Sequence, residues 1–259
     1  MNAPGPAQTI RIRWTKHGRV RFVSHRDVAR IFERALRKLR LPVAYTAGFS
    51  PRPRLSFGLA LTVAHESEAE YLDVDLDQIV AVEALPDALT AALPGGMTVE
   101  AVVAVPPGTP SLQQAVESCD WRIEILGVST AALDTAIGRA LAAEELPLER
   151  VRKGKPAVAD VRPAILEIGM LGPTSDGVEV SARLATGQIT VRPSELIQLL
   201  AQLIPGATAE TATSSTGPAA APAEGRVCRT HQWMIVDGAR CEPVSRPGPS
   251  TGHAMARAS

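Results

Sequence analysis

The chain has 259 residues, 45% hydrophobic and 21% charged, with 27 basic and 27 acidic side chains and a formal net charge of zero. That length and apolar content exclude a chain too small or too polar to bury a core, and imply one large domain or two small ones. The neutrality does not exclude a polyanion binder, because residues 1–60 carry a net +11 and residues 61–100 a net −9.

In chain order, the first six residues, Met-Asn-Ala-Pro-Gly-Pro, lack the basic-then-apolar pattern of a signal peptide. No apolar run reaches the roughly 18 residues of a membrane-spanning helix. A cytoplasmic location is expected, and Cys119, Cys228 and Cys241 are too few and too dispersed for a disulfide framework. Ile10, Ile12 and Trp14 alternate with Arg11, Arg13 and Thr15, and after Lys-His-Gly at 16–18, Val20 and Phe22 alternate with Arg19 and Arg21. The period of two predicts a hairpin with one apolar and one arginine-rich face, the latter turned outward. Ser24 opens a helix in which Val28, Ile31, Phe32, Ala35, Leu36 and Leu39 fall at helical spacing, and Pro42 ends it.

Further strands are expected at 43–46, 55–63 and 69–76, then a helix at 80–93 and a strand at 97–104. Val-Pro-Pro-Gly-Thr-Pro at 105–110 reads as a linker. A second segment follows with a strand at 120–126, a helix at 130–143, strands near 147–152, 164–170 and 177–184, and a helix opened by Pro193-Ser194-Glu195. The expected fold is α+β: two tandem ferredoxin-like (β-α-β-β-α-β) halves over 9–105 and 117–205, the first carrying an extra hairpin strand. Residues 206–259 read as a low-complexity, mostly disordered tail. Within it, 227–236 with Asp237-Gly238 has the pattern of a last strand and turn.

Arg26, Arg30 and Arg34 recur at one-turn intervals and, with Lys16, Arg21, His25 and Arg37, give one region a row of cations suited to phosphates. The competing reading is a solvated helix back paired with Asp73 and Asp75. Ser24, His25 and Asp27 contain the residue types of a catalytic triad, but Ser24-x-x-Asp27 is better read as a helix cap. Tyr45-Thr-Ala-Gly-Phe-Ser-Pro-Arg-Pro-Arg54 is a loop stiffened by Pro51 and Pro53. It offers Arg52 and Arg54 to an anion and Tyr45 and Phe49 for stacking, while Trp14, Phe22 and Phe32 are in core phase. Phe49 has an alternative as a plug beneath its own loop. Glu66 and Glu70, with His25, are the candidate acid–base groups if the chain is an enzyme. Arg150, Arg152, Lys153, Lys155 and Arg162 form a second basic patch, and Cys228, His231 and Cys241 supply three zinc-type ligands without an evident fourth.

These residues resemble a radical-SAM-linked, or radical-SAM-associated, uncharacterised domain. The resemblance rests on Lys16, Gly18, Arg21-Phe22, Ser24-His25-x-Asp27, Arg30, Arg34 and Arg37. It continues at Gly48-Phe-Ser-Pro-x-Pro53, Ser56-Phe57-Gly58, Glu66-Ser67 and Glu70-Tyr71, then at Lys153-Gly154, Asp160-Val-Arg-Pro163 and Arg192-Pro193. It covers about 10–205 and implies the stand-alone form, whose separate radical-SAM partner would carry the iron–sulfur cluster and S-adenosylmethionine. The cysteine gaps of 109 and 13 residues agree that this chain cannot cradle such a cluster, so no cofactor of its own is expected. The function expected is an accessory protein that binds transfer or ribosomal RNA. The alternatives are an RNA-processing or RNA-modifying enzyme and a protein-interaction scaffold.

Overall fold

The structure is a computed structural model that describes residues 5–152, 154–204 and 222–244, with Val151 and Arg152 by backbone alone. Lys153, the low-complexity stretch 206–221 and the tail beyond 244 lie outside the described residues. The elements run β1 (Gln8–Lys16), α1 (His25–Lys38), β2 (Leu55–Phe57), β3 (Glu66–Leu76), α2 (Leu85–Ala92), β4 (Met97–Val105), α3 (Leu112–Ala115) and β5 (Val116–Leu126). They continue as α4 (Thr130–Ala142), β6 (Pro147–Arg152), β7 (Lys155–Asp160), β8 (Ile165–Pro173), β9 (Gly177–Ala185), α5 (Pro193–Leu203), β10 (Ala223–Val236) and β11 (Ala239–Cys241).

This is a mixed α+β chain built on a large, mostly antiparallel sheet. The strand order is β4-β1-β3-β10-β5-β9-β8, with β2 added to β3 and β11 to β10. In the first half β3 lies between β1 and the short β2, and β4 takes the other edge of β1. In the second half β9 lies between β5 and β8, and β10 takes the other edge of β5. The halves join where Cys228 and Arg229 of β10 run parallel to Glu66 and Ser67 of β3. β10 therefore extends the second half past residue 205. The strand anticipated over 227–236 is part of it.

Four local expectations need correction. Residues 18–22 are not a hairpin strand but a single 3-10 turn, Gly18–Phe22. Both edges of β1 are already paired, by β3 and β4, so no edge is left for a hairpin partner. The turn still buries Val20, but Phe22 leaves the core phase and is 58% exposed. The strand at 43–46 reduces to single bridges at Val43 and Tyr45, and the one at 55–63 to the three residues of β2. β6 pairs only with β7, in a separate two-stranded sheet inserted before β8.

Two cores follow the two halves. Ile10, Ile12, Trp14, Val28, Phe32 and Leu36 pack with Leu72, Val74, Leu76 and α2. Ile123, Ile125, Leu133, Ala136, Val178, Val180, Leu196 and Leu200 lead the second, with Val227 of β10 among them. Helix α1 forms because its apolar positions recur every three to four residues on one side, and because Ser24 caps it. The Ser24 hydroxyl accepts from the Asp27 N–H at 3.2 Å and donates to the Asp27 carboxylate at 2.7 Å.

The alternate face of β1 is not turned to solvent. Arg11 and Arg13 are 3% and 0% exposed. Arg11 forms a two-pronged pair with Asp73, at 2.7 and 2.8 Å. Arg13 is held by Glu100 at 2.9 Å, Glu242 at 2.7 Å, the Tyr71 hydroxyl and the Val244 carbonyl. The segment after β11 lies across this face, and Val244 packs there with Ala69, Tyr71 and Leu112. A sequence period of two shows that a strand has two faces; it does not show that a segment 231 residues away covers the second.

Candidate nucleic-acid interface and an adjoining cavity

Helix α1 presents Arg26, Arg30, Arg34, Arg37 and Lys38 to solvent. Arg26 to Arg37 spans roughly 17 Å along the axis at 1.5 Å per residue, with steps of about one turn. Arg30 shares a surface contact with Asp27 at 3.2 Å. Such exposed pairs hold a cation only weakly. Arg26, Arg34, Arg37 and Lys38 have no ion-pair partner among the described residues. The acids of β3 do not reach this face: Asp73 meets Arg11, and Asp75 meets Thr9 at 2.7 Å and Arg54 at 2.7 Å.

The loop after α1 extends the same surface. The Thr46 N–H donates to the Arg52 carbonyl, and the Arg52 N–H to the Thr46 hydroxyl, at 2.9 and 3.0 Å. This clamp leaves Phe49 fully exposed at the tip, which overturns the plug reading, and Gly48 supplies the φ of +128° that the turn needs. Arg52 is exposed, whereas Arg54 is neutralised by Asp75. Arg37 and Arg40 from α1's end wall a cavity of about 140 Å³ together with Tyr45 and Pro53 of the loop. The same cavity, walled also by Glu33, Leu41 and Val43, is where helix and loop meet.

Other expected members behave differently. Lys16 is 3% exposed and its Nζ donates to the Val23 carbonyl at 2.9 Å, so it is not a surface contact. Burial and the Arg229 charge lower its pKa, against the opposing pull of Glu70. Arg21 lies over the Phe22 ring at 4.7 Å and within 3.5 Å of Glu66. Arg150 is engaged by the Thr190 carbonyl and by Glu195, and Arg162 by the Ile165 and Leu141 carbonyls. Lys155 is exposed on β7, and the Arg152 and Lys153 side chains lie outside the described residues.

The carboxylates proposed for acid–base work are both held by cations. Glu66 accepts from the Gly18 N–H at 2.8 Å and faces Arg226, His17 and Arg21. Burial alone would raise its pKa, but that N–H and these charges outweigh it and hold the carboxyl below its ordinary 4.5. With the folded value depressed, the stability this contributes is present above 4.5 and is lost as pH falls through the folded pKa. Glu66→Gln should therefore flatten the acid limb of a stability–pH curve relative to the wild type, measured by urea unfolding between pH 6 and 3. Glu70 is bound by Arg229 through Nε at 3.2 Å and through Nη2.

Cys228, His231 and Cys241 do not converge. Cys241 sits opposite Met234, six residues along β10 from Cys228 or roughly 20 Å at strand rise. Burial also pushes the Cys228 thiol up to about 11, away from the thiolate a metal needs. No group of three metal-type ligands is gathered among the described residues.

Sequence reading did not foresee the cavity at the start of α1. His25 is exposed, its ring edge-on to Phe57 at 4.9 Å, and it walls two adjoining spaces. The outer, about 440 Å³, runs along residues 55–60 to Gln113; the inner, about 20 Å³, reaches Trp14, Lys16 and Glu70. One signal was available: Lys16, His25, Ser56-Phe57-Gly58 and Glu70-Tyr71 all carry the resemblance described above, and all meet here.

Comparison with known proteins identifies a family. The model of a family described as an uncharacterized protein conserved in bacteria (DUF2344) matches residues 9–193. No curated protein matches the sequence. Among solved structures the chain is similar to one described as "Structure of H/ACA RNP bound to a substrate RNA containing 2'-deoxyuridine", at 11% identity and a TM-score of 0.41. The alignment covers 87% of this chain and 47% of that one, so this chain spans about half the length of its neighbour. No helix among the described residues is long and apolar enough to cross a membrane. The family match spans more than two thirds of the sequence, and the protein belongs to that bacterial family, DUF2344.

Proposed function

We propose that the protein binds RNA through the exposed face of α1 and the 45–53 loop, as an accessory factor to a separate radical-SAM enzyme. One observation carries the RNA reading: Arg26, Arg34 and Arg37 of the α1 row have no ion-pair partner among the described residues and Arg30 has only the exposed Asp27, because Asp73 and Asp75 are engaged by Arg11 and Arg54. Guanidinium groups one turn apart suit successive phosphates, and Tyr45 and Phe49 beside them suit unpaired bases. The radical-SAM partner rests on the sequence resemblance alone, and the iron–sulfur cluster and S-adenosylmethionine belong to that partner. We also read each half as a ferredoxin-like unit, supported by the strand orders β4-β1-β3-β2 and β10-β5-β9-β8.

An enzymatic role through His25, Glu66 and Glu70 draws no support from the two carboxylates, since guanidinium groups hold both. The scaffold reading differs in an observable way. Affinity capture from bacterial extract, with and without ribonuclease, should recover RNA with the protein and lose its co-purifying proteins after digestion. Partners that persist after ribonuclease, with no RNA in the untreated sample, would replace the RNA reading with the scaffold.

A further inference from the structure

Lys16 and Glu70 line the inner end of the cavity beside α1 and are 3% and 7% exposed; Arg229, 1% exposed, does not line it but binds the Glu70 carboxylate. Among the three there is one carboxylate, and it is engaged by Arg229. With Lys16 protonated, the three side chains carry one positive charge in excess, in a place where an unbalanced charge is costly and where burial already lowers the Lys16 pKa. The Lys16 ammonium has three N–H donors, one of which meets the Val23 carbonyl. Trp14, 2% exposed on the same wall, has an indole Nε1–H with no partner among the described residues. Buried donors of this kind are ordinarily satisfied.

Size narrows what could satisfy them. An inner space of about 20 Å³ is on the scale of one water or one small polar group. The outer space, about 440 Å³, is in the range of small-molecule sites and shares His25, Phe57, Gly58 and Leu59 as walls with the inner one. We propose that this cavity is a binding site for a small organic monoanion. Its carboxylate sits against Lys16 and the Trp14 indole N–H, and its body fills the outer space beside Phe57 and Gln113. A single negative charge matches the excess on the buried trio, and the two donors orient the carboxylate. The site does not depend on RNA binding: the arginine face of α1 contributes nothing to its inner wall.

Nuclear magnetic resonance of protein labelled with ¹⁵N-tryptophan tests this, with benzoate as probe and benzamide as its neutral counterpart. The three tryptophans give three indole signals, and Trp14→Phe identifies the one at the cavity. Benzoate should shift the Trp14 signal saturably, benzamide should bind at least tenfold more weakly, and Lys16→Met should remove the saturable shift. Ala60→Phe, at an exposed position on the outer wall, fills the space without entering the core and should also abolish it. A Trp14 signal that benzoate leaves in place, or that shifts equally in Ala60→Phe, overturns the proposal, whether or not Lys16→Met folds.

Discussion

Replacing Glu70 by Gln should destabilise the protein by about 3–5 kcal/mol, the usual cost of removing one partner from a buried ion pair. The side chain keeps its shape, so lost packing contributes little. What changes is charge: Arg229, which binds Glu70 through Nε and Nη2, and Lys16, which feels the same carboxylate, become two buried cations with none between them. Arg229 keeps its bond to the Leu59 carbonyl at 2.8 Å, and its position over the Trp121 ring at 5.5 Å, but neither offsets the lost charge. For a chain of this length the loss corresponds to a fall in Tm on the order of 10 °C. Adding Lys16→Met removes one of the stranded cations, so the double variant should lose less than the sum of the single losses. Thermal and urea unfolding of the four proteins in this cycle measure that coupling directly. A Glu70→Gln protein as stable as the wild type would show that the trio is not buried as described.

Deleting residues 222–259 should have a larger effect, abolishing the cooperative transition altogether. If these residues were only a disordered extension, their removal would be neutral. Instead, the deletion takes β10 from between β5 and β3 and takes Val227 from the second core. It removes Arg229 from Glu70, and both Glu242 and the Val244 carbonyl from Arg13. Two buried ionic groupings at about 3–5 kcal/mol each already rival the roughly 5–15 kcal/mol of a typical domain. The truncated chain should show a shallow, non-cooperative melt by circular dichroism and strong binding of a hydrophobic dye. A sharp melt within a few degrees of the full chain would contradict the role given to β10.

Much of the fold is legible in the sequence wherever local pattern and tertiary setting agree. Helix α1 is visible in the spacing of Val28, Phe32, Ala35 and Leu36 and in its Ser24 cap, and β3 and β9 alternate buried and part-exposed positions over Leu72–Leu76 and Val178–Leu184. The sequence misleads where a distant segment decides the outcome. Val20 and Phe22 alternate like a strand, but β3 and β4 already occupy both edges of β1. Arg11 and Arg13 look outward until Asp73, Glu242 and Val244 are placed over them. The basic face was readable from Arg26, Arg30, Arg34 and Arg37. The cavity was not, because its walls come from β1, α1, residues 55–60 and Gln113, segments that no spacing rule connects.

If the α1 arginine row holds an RNA backbone, binding must weaken as salt rises. Filter binding of a folded transfer RNA between 50 and 200 mM salt should give an affinity that falls steeply as salt rises, through release of counterions from the phosphates. Arg30→Ala combined with Arg34→Ala should weaken binding at every salt concentration and reduce the slope of log K against log salt by about 2, one for each lost phosphate contact. No measurable binding at 50 mM, or a slope unchanged by the double substitution, would contradict the account.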